Sequence, residues 1–202
     1  MKRMVICMCL ASATWGLAQE KEKIKPEFGV SAYVFSGNAV LQQRAEVDQN
    51  SFIRDGVNVE FDVKWDGFGV YAGLGTYSLT TNRIFEGQST YLKNEYLLIP
   101  FGLTSSYPLY KKGDETKLSL QLDVGGYAGH LYKSQEKTTD LTWKEKNVGW
   151  NFGFMARMGV SYMMYKNVEI KAGLQAMSDL SKINTQKVTK STMYFIGVGY
   201  RF

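Results

Sequence analysis

The chain is poor in the residues that most often carry chemistry. Its 202 residues include two cysteines, one histidine and three prolines. Cys7 and Cys9 both fall in the first ten residues, inside a segment that reads as removable, so disulfide and thiolate chemistry are not expected in the remainder. His130 stands alone, which leaves no Cys/His ligand spacing for a metal. A phosphate-cradling GxxxxGK is missing, and no helix exists for a GxGxxG to open, so no cofactor is expected. No apolar run reaches the ~18 residues of a membrane-crossing helix. Helical periodicity is nearly absent as well.

Charge is also scarce on one side only mildly. The formal net charge of +5 falls to +3 if Lys2 and Arg3 are removed with the leader, too little to argue for a nucleic-acid partner. That leader is "MKRMVICMCLASATWGLAQE": two basic residues, an apolar run from Met4 to Leu10 and small residues ending at Ala18. The pattern predicts a signal peptide over 1–18, cleaved near Ala18 or Gln19, and a single domain over 19–202. Lipidation at Cys9 is not expected, because Ile6, Cys7 and Met8 precede it rather than small residues.

What is present is a strand former's composition, 14% aromatic with 13 Tyr, 11 Phe and 20 Gly, arranged in sustained alternation. In "KLSLQLDVGGY", Leu118, Leu120, Leu122 and Val124 share one face, with Ser119, Gln121, Asp123 and Gly125 on the other. "VNVEFDVKW" sets Val57, Val59, Phe61, Val63 and Trp65 against Asn58, Glu60, Asp62 and Lys64. In "GWNFGFMARMGVSYMM", Trp150, Phe152, Phe154, Ala156, Met158, Val160 and Tyr162 oppose Asn151, Gly153, Arg157, Gly159 and Ser161, a run too long for an ordinary globular strand. Extended along the chain, the pattern predicts eight strands, near 27–36, 51–65, 67–79, 91–107, 117–131, 148–164, 168–178 and 191–202.

Their connections alternate in length. Asp66-Gly67 and Lys166-Asn167 mark tight turns. "GNAVLQQRAEVDQN", "TTNRIFEGQST", "YKSQEKTTDLTWKEKN" and "DLSKINTQKVTK" read as long loops at the opposite end. An even number of alternating strands with short turns at one end and long loops at the other predicts an all-β fold: an eight-stranded antiparallel up-and-down transmembrane β-barrel with short periplasmic turns and longer extracellular loops, in the cell outer membrane. Trp65, Phe68, Tyr107, Tyr165, Tyr200 and Phe202 would form the periplasmic aromatic girdle, and Tyr91, Trp150 and Tyr194 the outer one.

Alternation alone does not say which face points inward. A secreted lipocalin-like barrel would bury Trp150, Phe152, Phe154 and Met158 around a ligand. The polar face, however, carries Gly29, Gly69, Gly73, Gly75, Gly125, Gly153, Gly159, Gly173, Gly197 and Gly199, and small residues suit a crowded barrel interior.

"YLLIPFGLTSSY", followed by "DVGGYAG", "NFGFMARMGVSY" and "GVGYRF", resembles the PorT-like outer-membrane β-barrel family of Bacteroidetes-type bacteria, from about Phe28 to Phe202. The resemblance implies a non-enzymatic barrel that supports the envelope or docks a secretion or surface partner. Members often carry a Glu within Tyr-Leu-x-Ile-Pro, where this chain has Leu98. Pro100 removes a ladder donor, and a bulge is expected there.

Four negative and four positive residues fall on the inward face: Glu60, Asp62, Asp123 and Glu169 with Lys64, Arg157, Lys171 and Arg201. Hairpin parity sets Asp123 opposite Arg157 and Glu169 opposite Arg201, favourable cross-strand neighbours. They fill a lumen just wide enough for side chains; the alternative is a narrow solute channel gated by exchange of partners. A lipid-modifying enzyme would need His130 and Ser134 beside an acid, but parity turns His130 toward lipid headgroups. Trp143, within the longest loop, is a candidate surface anchor. Tyr194, Ile196, Val198, Tyr200 and Phe202 form an outward stripe that resembles the C-terminal signal read by the barrel assembly machinery. Outer-membrane lipids, that machinery and an envelope partner are the partners expected.

Overall fold

A computed structural model describes residues 25–43, 47–85, 88–113, 115–138, 141–183 and 186–202. The expected signal peptide over 1–18, with Cys7 and Cys9, lies outside the described residues. Eight strands follow one another in antiparallel order: β1 (Glu27–Gln43), β2 (Val47–Trp65), β3 (Phe68–Phe85), β4 (Gln88–Lys112), β5 (Glu115–Lys137), β6 (Thr142–Met163), β7 (Val168–Asp179) and β8 (Lys187–Arg201). β8 returns to pair with β1, so the sheet closes and has no free edge.

All eight expected strands are present, but several run well past their expected ends. β1 continues through Ala39 and Leu41 into what reads as a loop, and β5 and β6 pair as far as Lys137↔Thr142. Three of the four segments assigned to long outer loops are therefore largely strand, whereas in the fourth β7 ends at Asp179 and β8 begins only at Lys187. Once the wall rises clear of its neighbours both faces meet solvent or each other, and polar-apolar alternation fades although the ladder persists. At the opposite end β4 and β5 likewise extend beyond the last β3 pairing, Phe68↔Ser105, to a turn at Gly113. Asp66 and Gly67 both take positive φ, 51° and 79°, the two-residue turn expected of that dipeptide.

Pro100 corrects one expectation. It pairs with Tyr127 in register, and no bulge occurs there; β4 shifts register against β5 at Glu95/Tyr96 and again near Pro108 to Lys111. On its other side the β3–β4 ladder resumes in unchanged register at Gly75↔Leu98 after a two-residue gap. An isolated missing donor is absorbed by that gap, so no extra residue is needed.

The two faces of the wall settle the question of inversion. Val57, Val59, Phe61, Leu122, Val124, Phe154, Met158 and Val160 point out, and Phe152 is 58% exposed. Glu60, Asp62, Asp123, Arg157, Glu169 and Lys171 are buried inside. The lipocalin-like alternative needed Trp150, Phe152, Phe154 and Met158 within; all four lie outside. An exterior this apolar over this height has no stable place in water and matches a hydrocarbon layer.

Candidate functional site

The interior is filled in layers, each built by inward positions of alternating strands. In the middle, Arg157 on β6 reaches across the lumen to Glu60 on β2, with Nη2 2.6 and 2.8 Å from the two carboxylate oxygens. Its Nε lies 3.0 Å from Asp123 of the adjacent strand. Asn58 donates to Glu60 at 2.6 Å and Thr104 to Asp123 at 2.6 Å, and the guanidinium sits 4.4 Å over the Tyr33 ring. A buried cation with two carboxylates and an aromatic face is held from several sides.

A second layer lies nearer the short turns. Glu169 meets Lys171 at 3.0 Å and Arg201 at 2.9 Å, and accepts from Ser161 at 2.6 Å. Arg201 also pairs with Asp62, and Lys171 donates to Ser31 at 2.9 Å and to Tyr33 at 3.2 Å.

Toward the long-loop end the filling becomes apolar. Leu41, Ile53, Leu79, Leu92, Leu131 and Val188 close over Met155, Met193 and the stacked rings of Tyr77 and Tyr96, whose centroids are 4.7 Å apart. Leu98, where the resemblance leads one to look for Glu, is fully buried in this plug. Just beneath it Asp179 accepts from Tyr127 at 2.5 Å and from Asn151 at 2.6 Å. Gly153 faces the Tyr127 ring so closely that a Cβ would stand 2.1 Å from Cζ, the crowding that the inward glycines suggest.

Seven of the eight charged residues assigned to the inner face are buried on it, the part-buried Arg201 reaches Asp62 and Glu169 there, and Asp123 and Arg157 are direct ladder partners. Glu169 is corrected by one pair: the ladder sets it opposite Gly199, and it meets Arg201 diagonally. Parity did not reveal the contacts across the lumen, Glu60 to Arg157 and Asp62 to Arg201, because they depend on closure rather than on hairpin register. The Tyr127–Asp179–Asn151 group was likewise missed, though Asn151 and Asp179 share the inward parity.

His130 and Ser134 do not assemble a catalytic pair. His130 faces out, stacks on Trp150 with centroids 4.6 Å apart and meets the Gly149 carbonyl oxygen at 3.0 Å. Ser134, beyond a register shift at Leu131/Lys133, turns in and donates to Asn94 at 2.7 Å. It lies on β5 rather than in a loop. Trp143 is also on a strand, near the tip of the β5–β6 hairpin, and is 60% exposed. Above the apolar band, Lys93 hydrogen-bonds Glu95 and, with Lys133, holds its carboxyl below the usual carboxylate range. Tyr194, Ile196, Val198, Tyr200 and Phe202 form one exposed stripe on the outside. Among the described residues no group of His, Cys, Asp and Glu is arranged to hold a metal.

Polar, charge-compensated filling within an apolar wall of eight closed strands defines the class: a small outer-membrane β-barrel. Solved structures agree on the fold. Neisserial surface protein A is similar over 87% of this chain and 97% of its own, with 14% identity and a TM-score of 0.50. The outer membrane protein OprG from Pseudomonas aeruginosa is similar over 90% and 97%, with 11% identity and a TM-score of 0.52. The chain matches no family model and none of the curated proteins it was compared with.

Proposed function

We propose that the chain is a non-enzymatic integral barrel that holds a β-hairpin platform above the outer membrane for an envelope or secretion partner, as its PorT-like motifs imply. The observation that carries this reading is the β5–β6 hairpin. It pairs from Lys133↔Lys146 to Lys137↔Thr142 beyond the start of the β6–β7 ladder at Gly153↔Asp179. Leu141 and Trp143 are exposed near its tip, among Lys137, Lys144 and Lys146. A rigid aromatic in a charge-mixed, strand-supported surface, beside Glu136 and Glu145 as well as the lysines, is suited to anchoring a protein partner. An outward route through the lumen finds less support, because buried leucines, methionines and aromatic rings fill its outer part.

Replacing Trp143 with alanine is expected to reduce crosslinked co-purification of an envelope partner by roughly tenfold or more, the loss typical of a central aromatic anchor. Heat-modifiable gel migration of the variant should match the wild type, since the Trp143 side chain is exposed and the change leaves the backbone ladder intact. Undiminished co-purification would remove the hairpin from this role.

A further inference from the structure

Among the described residues, the apolar plug fills the outer part of the lumen, and the opposite end holds an open cavity. Below the Glu169 layer, the inner mouth contains a cavity of about 440 Å³, within the size range of small-molecule sites. The overhanging β4–β5 hairpin supplies one wall through Ser106, Thr116 and Ser119. At its floor Lys64 lines the cavity, is 4% exposed, and forms no ion pair or hydrogen bond among the described residues.

Its neighbours are already engaged. Asp62 and Glu169 are near enough to attract it, but Asp62 is paired with Arg201, and Glu169 with Arg201 and Lys171. Lys64, Lys171 and the part-buried Arg201 therefore share two carboxylates. Glu27, opposite Lys64 in the β1–β2 ladder, lines the same cavity but is exposed and makes no ion pair with Lys64 among the described residues. Asp66 also borders the mouth, as do Lys111 and Lys166, while Glu115 is paired with Lys117 at 2.7 Å. The Lys64 stem is buried while its ammonium meets the open cavity, and an anion entering there would supply the ion pair that Lys64 lacks among the described residues. The Ser119 hydroxyl, also without a hydrogen bond among the described residues, adds a donor on the same wall.

We propose that the inner mouth binds the oxyanion group, carboxylate or phosphate, of a small solute on the short-turn side, with Lys64 as its central cation. The proposal concerns the end opposite the Trp143 platform and does not depend on it. Titration calorimetry of the refolded full chain with sodium phosphate and, separately, sodium succinate tests it and distinguishes the two oxyanions. At least one should bind at one site per chain. Lys64→Gln should weaken binding by ~10-fold or more, the loss expected of a charge-assisted hydrogen bond. Glu27→Gln should leave binding equal or tighter, because it removes a competing carboxylate. Absence of binding of both anions to the wild type overturns the proposal whether or not Lys64→Gln folds, as does unchanged affinity in a Lys64→Gln barrel with wild-type gel migration.

Discussion

Arg157→Met is expected to destabilise the barrel by about 3–5 kcal/mol, the usual cost of removing one partner from a buried charge group. The variant leaves Glu60 and Asp123 facing each other in a lumen with no cation between them, since Lys171 and Arg201 belong to the other layer. It also removes the guanidinium that packs on Tyr33, Tyr71 and Phe195. Combining it with Glu60→Gln and Asp123→Asn should recover most of the loss, because no uncompensated charge then remains. Urea unfolding of the wild type, the single variant and the triple variant in lipid vesicles checks both statements. A single variant as stable as the wild type would show that the group is not coupled as the distances indicate. Planar-bilayer recordings of Arg157→Ala should stay closed. The gated-channel alternative requires opening, but the apolar plug over Leu41, Ile53, Leu79 and Leu131 is untouched by the change.

The second large effect concerns the outside of the wall. Val124 and Ala156 are ladder partners midway along the apolar exterior, with Leu122 and Met158 below them and Phe154 above. Val124→Arg is expected to cost about 2–4 kcal/mol in a bilayer, the penalty of a cation near the midplane. Thr192→Arg, two residues outward of Tyr194 on an exposed face, should cost at most about 1 kcal/mol. Unfolding free energies in the same vesicles give the comparison. Equal costs at the two positions would mean that the exterior does not cross a hydrocarbon layer.

The strand count and the inward charges were legible because a two-residue period is a local property, repeated over stretches such as 57–65 and 150–162. Strand ends were less legible. Where β1 runs on through Asn38, Ala39 and Val40, and where β5 and β6 rise together, the strict alternation of polar and apolar residues fades, while the backbone ladder continues. The ion pairs divide in the same way. Asp123 with Arg157 follows from one hairpin, whereas Glu60 with Arg157 joins residues 97 apart and needs the closed ring. The plug escaped notice for a related reason: its leucines and Ile53 come one or two to a strand, several from segments with loop-like composition, and only the barrel gathers them.

The most direct test of the account is a single-cysteine spin-label scan over residues 57–64 of β2 in lipid bilayers, on a chain with Cys7 and Cys9 replaced by serine. Collision with dissolved oxygen should be high at 57, 59, 61 and 63 and low at 58, 60, 62 and 64, with a water-soluble nickel reagent excluded from the odd positions. Ready access of nickel to 57, 59, 61 and 63, or oxygen maxima at the even positions, would contradict an apolar wall facing lipid around a charge-filled lumen.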